Sequence, residues 1–166
     1  MKIVHIITGL GEGGAEQTLF KICKYDIINK HVVISLTKHG KYFSLLSKLG
    51  IKVHCLEMNF FSIYKFFYLS KLLRYLKPDI VQTWLIHADF MGGIAARLVG
   101  IKNIVWNIRY SDIEIGKVKL TTVLIIKILS KLSFSIPQLI VTVSKKARKI
   151  YEAKGYNKNK IKFIPN

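Results

Sequence analysis

The first 22 residues hold the densest set of chemistry-bearing positions in the chain. In MKIVHIITGLGEGGAEQTLFKI an apolar run, Ile3 to Ile7, meets Gly9, Gly11, Gly13 and Gly14. Ala15, Leu19, Ile22 and Cys23 then follow at helical spacing. That pattern predicts strand, tight turn and helix N-terminus. Glycines at such a turn let a ligand approach the backbone, and the first N–H groups of the helix attract anions. The chemistry suits a phosphate or a nucleotide sugar. The stretch is not a P-loop, because no Gly-Lys-Ser/Thr follows. Glu16 falls in the first helical turn, where a carboxylate either faces the ligand or complements the helix dipole.

Two further positions sit at predicted strand ends. His87 opens the fourth predicted helix, where it either meets a ligand or caps the helix; Asp89 beside it reads as a first-turn acid. Arg109 follows the apolar run Ile104 to Ile108 in NIRYSD. An arginine there suits bidentate capture of phosphate or carboxylate, or an ion pair with Asp112.

These positions need a scaffold. Apolar runs at residues 2–8, 31–36, 52–56, 80–84, 103–107, 138–142 and 162–164 read as strands. Amphipathic patterns at 15–25, 42–49, 63–76, 88–99, 117–135 and 145–154 read as helices. Apolar strands alternating with helices predict an α/β, Rossmann-like fold: one parallel sheet of six to seven strands with helices on both faces. Gly50, Gly100 and Gly155 stand where helix C-caps belong. Parallel α/β sheets bind ligands beyond the carboxyl ends of their strands. The loops after the first, fourth and fifth strands, which carry Gly9–Gly14, His87 and Arg109, therefore converge on one edge.

Composition narrows the class. A chain of 166 residues that is 51% hydrophobic is one folded domain, not a disordered segment. Lys and Arg number 27 against 9 Asp and Glu, a net charge of +18. Such a surface attracts nucleic acid, anionic lipid or acidic substrates, or else reflects a lysine-rich solvated face. Cys23 and Cys55 read as reduced thiols of a cytoplasmic protein, and the spacing of the five histidines predicts no metal cluster. No signal peptide is expected. The apolar stretch 118–136 is interrupted by Lys127 and Lys131, which argues against a membrane span. In helix 63–76, Leu69, Leu72, Leu73 and Leu76 share a core face, while Ile63 and Phe67 lie near Lys71 and Arg74 on the other. Aromatic residues among cations suit an anionic membrane surface, or a face covered by other protein.

The GGAE opening, Gly13 to Glu16, resembles that of GT-B glycosyltransferases, in the large retaining group whose fourth family includes many lipopolysaccharide and capsule enzymes. VQTWLIHADFMGGIAARLVGIKNIVWNIRYSD is similar to that family's acceptor-side segment, and LIVTVSKKARKIYEAKGYNKNKIKFIPN to the stretch before its interdomain linker. The three matches occur in the family's order across nearly the whole chain. The resemblance implies that residues 1–166 form the N-terminal, acceptor-side half, with the nucleotide-sugar domain following elsewhere. It implies donor or acceptor contacts for Gly13, Gly14, Glu16 and Arg109. It also implies a histidine in the loop of His87 that contacts the acceptor or the transferred sugar. Many members carry His-x-His where this chain has Gln82-Thr83-Trp84, so Trp84 aligns with the second histidine.

The expected function is half of a retaining, metal-independent and cofactor-free transferase. It would move a sugar from a nucleotide sugar to a lipid-linked or cell-surface glycan acceptor, at the cytoplasmic face of the membrane. The isolated domain is expected to be inactive. The alternative is a non-enzymatic basic module for RNA or anionic membrane. No RNA-recognition motif is present, and nucleic acid is not the expected partner.

Overall fold

The computed structural model describes residues 1–58, 63–109 and 120–165. Seven parallel strands alternate with six α-helices among these residues: β1 (Lys2–Ile7), α1 (Gly14–Tyr25), β2 (Lys30–Ser35), α2 (Lys41–Lys48), β3 (Lys52–Cys55), α3 (Ile63–Leu76), β4 (Ile80–Trp84), α4 (Ile86–Leu98), β5 (Ile104–Ile108), α5 (Leu120–Leu132), β6 (Leu139–Thr142), α6 (Lys145–Ala153) and β7 (Ile161–Phe163). The strand order β3-β2-β1-β4-β5-β6-β7 is that of a Rossmann-like sheet, as expected. The order reverses between β1 and β4, where parallel sheets open a crevice for ligands.

Continuous apolar strands demand cover on both faces. One face carries a core of Ile7, Leu10, Ala15, Leu19, Val33, Leu46 and Trp84 under α1 and α2. The other, larger core joins Val4, Ile6, Leu69, Leu73, Ala95, Ala96, Trp106, Ile125, Leu129 and Tyr151 under α3 to α6. Small residues set the depth of α4. A Cβ on Gly92 would lie 2.9 Å from Ile6 Cδ1, and one on Gly93 2.8 Å from Trp106 Nε1. The pair lets α4 lie close against β1 and β5, which brings its first turn to the sheet's ligand edge. Gly50, Gly100 and Gly155 have φ of +75°, +86° and +84°, the left-handed caps anticipated from their positions.

Most element boundaries differ from the expected ones by one or two residues. Helix α4 begins at Ile86, two residues before the expected start, so His87 lies inside its first turn. The expected helix 117–135 is observed over Leu120–Leu132, residues 117–119 lying outside the described set. Among the described residues no helix is long and apolar enough to cross a membrane.

Candidate functional site

A cleft of about 340 Å³ opens at the carboxyl edge of the sheet, lined by Gly13, Gly14, Ala15, Glu16, Leu85, Arg109 and Val143. The two glycines enter through the start of α1. Gly14 does not have a positive φ, and a Cβ built there meets nothing within 4 Å. The turn would therefore accept a side chain, and the missing one keeps the mouth of the cleft open to a ligand. Gly13 differs. A Cβ there would lie 2.5 Å from Glu16 Oε2, so the bare backbone is what allows the buried Glu16 carboxylate to fold over it.

Arg109, just past β5, supplies the cationic wall. Its Nη1 donates to Thr18 Oγ1 at 3.3 Å, and Thr18 Oγ1 donates in turn to the Gly14 carbonyl at 2.8 Å. The arginine is thus tied to the first turn of α1. Partial burial pulls its pKa below the ordinary arginine value, yet a guanidinium stays charged at neutral pH. A cation, a carboxylate and backbone N–H groups at a helix start face one volume. That set can hold a phosphate and orient sugar hydroxyls.

Beneath Arg109 lies Trp84, its ring centroid 4.9 Å from the guanidinium carbon. Trp84 is fully buried and lines neither this cleft nor the second pocket described below. Its alignment with a family histidine implied a ligand contact; in the fold its ring underlies the arginine that faces the cleft. The β4 register puts its ring under the arginine, inside the α1–α2 core. An indole N–H can only donate, so its 3.3 Å bond to His5 Nδ1 fixes the imidazole proton on Nε2. That proton points to His31 Nδ1 at 2.9 Å. His31 then donates from Nε2 to Asp26, its carbonyl at 3.3 Å and its Oδ2 at 3.3 Å. Burial above all depresses the His5 pKa to about 3, so His5 is neutral at working pH.

The spacing of the histidines in the chain gave no metal cluster, yet folding gathers three potential ligands. His5, Cys23 and His31 are buried with ligand atoms within 4.8 Å of one another. Parallel pairing of β1 with β2 creates this meeting, which linear spacing does not encode. The proton order makes His5 Nε2 a donor toward His31 rather than a lone pair for a metal. Burial pushes the Cys23 thiol up to about 12, which keeps it protonated.

His87 stands apart from this cleft. It lines a second pocket of about 300 Å³ with Thr8, Leu36, Thr37, Met58, Phe90, Met91 and Ile125. Asp89, two residues on, is fully buried and accepts from Thr83 Oγ1 at 2.5 Å; burial raises its pKa well above the ordinary value. It serves the interior, as a first-turn acid would. Asp112, the alternative partner of Arg109, lies outside the described residues.

Leu85 was not foreseen. It joins β4 to α4 with φ +73° and ψ 156°, a region that glycine occupies almost alone. Strain there costs about 1–3 kcal/mol, and such residues cluster at functional sites. No sequence signal marks it, because a leucine between strand and helix reads as any other apolar residue.

The model of Glycosyltransferase Family 4 matches residues 12–166, and the chain belongs to that family. Anabaena HepE, solved in complex with UDP and glucose, is similar at 20% identity and a TM-score of 0.82, over 100% of this chain and 44% of that one. The lipopolysaccharide outer core galactosyltransferase WaaB, in its apo form, is similar at 16% identity and a TM-score of 0.69, over 100% and 46%. UDP-N-acetylglucosamine 2-epimerase from Rickettsia bellii is similar at 19% identity and a TM-score of 0.61, over 97% and 43%. The fold is thus shared by transferases and epimerases. The chain spans less than half the length of these structures. No curated protein sequence matches it significantly.

Proposed function

We propose that this domain is the acceptor-side half of a retaining, metal-independent glycosyltransferase that takes its sugar from a nucleotide sugar, with the donor domain in another part of the protein. The observation that carries the reading is the cleft in which Gly13, Gly14, Glu16 and Arg109 meet at the switch point of the sheet. HepE, bound to UDP and to UDP-glucose, supports a uridine donor. In this reading the helix start and Arg109 hold phosphate or an anionic acceptor group, and Glu16 orients a sugar hydroxyl. His87 contacts the acceptor or the transferred sugar from the neighbouring pocket. The acceptor is a lipid-linked or cell-surface glycan. Ile63, Phe67, Lys71 and Arg74, all exposed on α3, rest on anionic lipid at the cytoplasmic face. The alternative, a non-enzymatic basic module, is not favoured by the family match.

The test is an assay of sugar transfer from UDP-sugars by a protein carrying this domain with its donor half, beside residues 1–166 alone. The larger protein transfers and the domain alone does not. Multiple turnovers by residues 1–166 would show that the donor half is dispensable and the division wrong.

A further inference from the structure

The pocket at His87 is built differently from the anion-binding cleft. Leu36, Met58, Phe90, Met91 and Ile125 make it mainly apolar, with Thr8, Thr37 and His87 as its polar groups. Its volume of about 300 Å³ matches the lower end of small-molecule sites. Thr8 Oγ1 is buried and has no hydrogen-bond partner among the described residues. A buried hydroxyl left so is costly, and a ligand hydroxyl would relieve it. A sugar phosphate alone has no use for the apolar wall.

Topology says where an apolar ligand would come from. Helix α4 packs between α3 and α5. Both flanking helices run antiparallel to the strands, so their N-terminal turns rise at the edge where the pocket opens. Those turns carry exposed apolar residues: Ile63, Tyr64 and Phe67 on α3, Leu120 and Leu124 on α5. Lys71 and Arg74 on α3, and Lys127 and Lys131 on α5, are exposed on the same helices. Apolar first turns on helices that carry exposed cations further along fit an anionic lipid surface.

We infer that the His87 pocket takes the linear apolar chain of a lipid-linked acceptor, led in from the membrane between the first turns of α3 and α5. The inference rests on the acceptor-side reading above and selects the lipid-linked acceptor over the free glycan. The chain fills the Leu36, Met58, Phe90, Met91 and Ile125 wall. Thr8, Thr37 and His87 meet the polar head where the sugar begins.

An uncharged pair of probes separates pocket from surface charge. The chain is titrated with octyl β-glucoside, below its micelle concentration, and with methyl β-glucoside, which has the same head and no chain. Octyl glucoside binds at least about tenfold more tightly, ~1.4 kcal/mol. Thr37→Trp, which fills the pocket from an exposed position, and Met58→Glu each remove that preference. Lys24→Glu, exposed on α1 across the sheet from the pocket, leaves it intact. Equal affinity for both probes overturns the inference, as does wild-type preference in both pocket variants. In the two-domain protein, transfer that is no better to an octyl-linked acceptor than to the chain-free one overturns it while leaving the transferase reading standing. Transfer to neither acceptor counts against both.

Discussion

The guanidinium of Arg109 lies 4.9 Å above the ring of Trp84, and Trp84 is held from below by His5. A surface cation is thus seated on a buried hydrogen-bonded line that runs through His31 to Asp26. The line works only while His5 is neutral, since a proton on Nδ1 would meet the indole N–H head-on.

That requirement predicts an acid-side loss of stability. The folded pKa of His5 is about 3 against an ordinary 6.5, because burial penalises the charged form. The unfolded chain takes the proton first. The stabilising contribution is complete above pH 6.5 and is lost as pH falls from there toward 3, at ~1.4 kcal/mol per pH unit for one proton. His54, also depressed by burial, adds in the same direction. Denaturant unfolding at pH 7, 6, 5 and 4 measures it. His5→Leu should flatten the slope by about one proton. An unchanged slope in that variant would mean the line carries no linkage.

Leu85 gives a second, unusual prediction. Alanine normally exceeds glycine in stability, because glycine has more chain entropy to lose. At φ +73° and ψ 156° the order reverses, since only glycine is free of strain there. Leu85→Ala and Leu85→Gly lose the same packing, and the glycine variant should be the more stable by about 1 kcal/mol. Thermal unfolding of the two compares them directly; an alanine variant equal to or above the glycine one removes the strain argument.

The outer face of α3 predicts membrane behaviour. The chain should sediment with vesicles containing anionic lipid and bind neutral vesicles weakly, each basic residue near the surface contributing about 1 kcal/mol, which salt screens. Replacing Lys71 and Arg74 by Glu should weaken binding with strong salt dependence, and Phe67→Ser with less. Equal binding to neutral and anionic vesicles, or none to either, returns the charge of +18 to a solvated face.

Much of this architecture was legible in the order of the residues. Alternating apolar runs and helical stripes gave the parallel sheet, and the core stripe Leu69, Leu72, Leu73 and Leu76 is buried as its spacing indicated. Of the candidate site residues, Gly13, Gly14, Glu16 and Arg109 meet in one cleft. Trp84 and His87 were harder to place. A residue at a strand end points to the ligand or into a core according to register, and β4 turns Trp84 inward. The helix that begins at Ile86 carries His87 into a different pocket. The His5–His31 contact depends on long-range pairing of β1 with β2, and the Leu85 strain on backbone angles. Neither leaves a mark in local composition.

The central claim is that the Gly14–Arg109 cleft serves sugar transfer. Its most direct measurement is the kcat/KM for transfer in the two-domain protein carrying Gly14→Val or Arg109→Ala, with folding checked by thermal unfolding. A Cβ at Gly14 meets nothing within 4 Å, so the backbone accepts a side chain there while the ligand's path is blocked. Gly14→Val should lower kcat/KM at least about tenfold, ~1.4 kcal/mol of transition-state stabilisation. Arg109→Ala should weaken use of the acceptor through KM. Wild-type kinetics in both folded variants would contradict the account, because no ligand would then pass between the start of α1 and the end of β5.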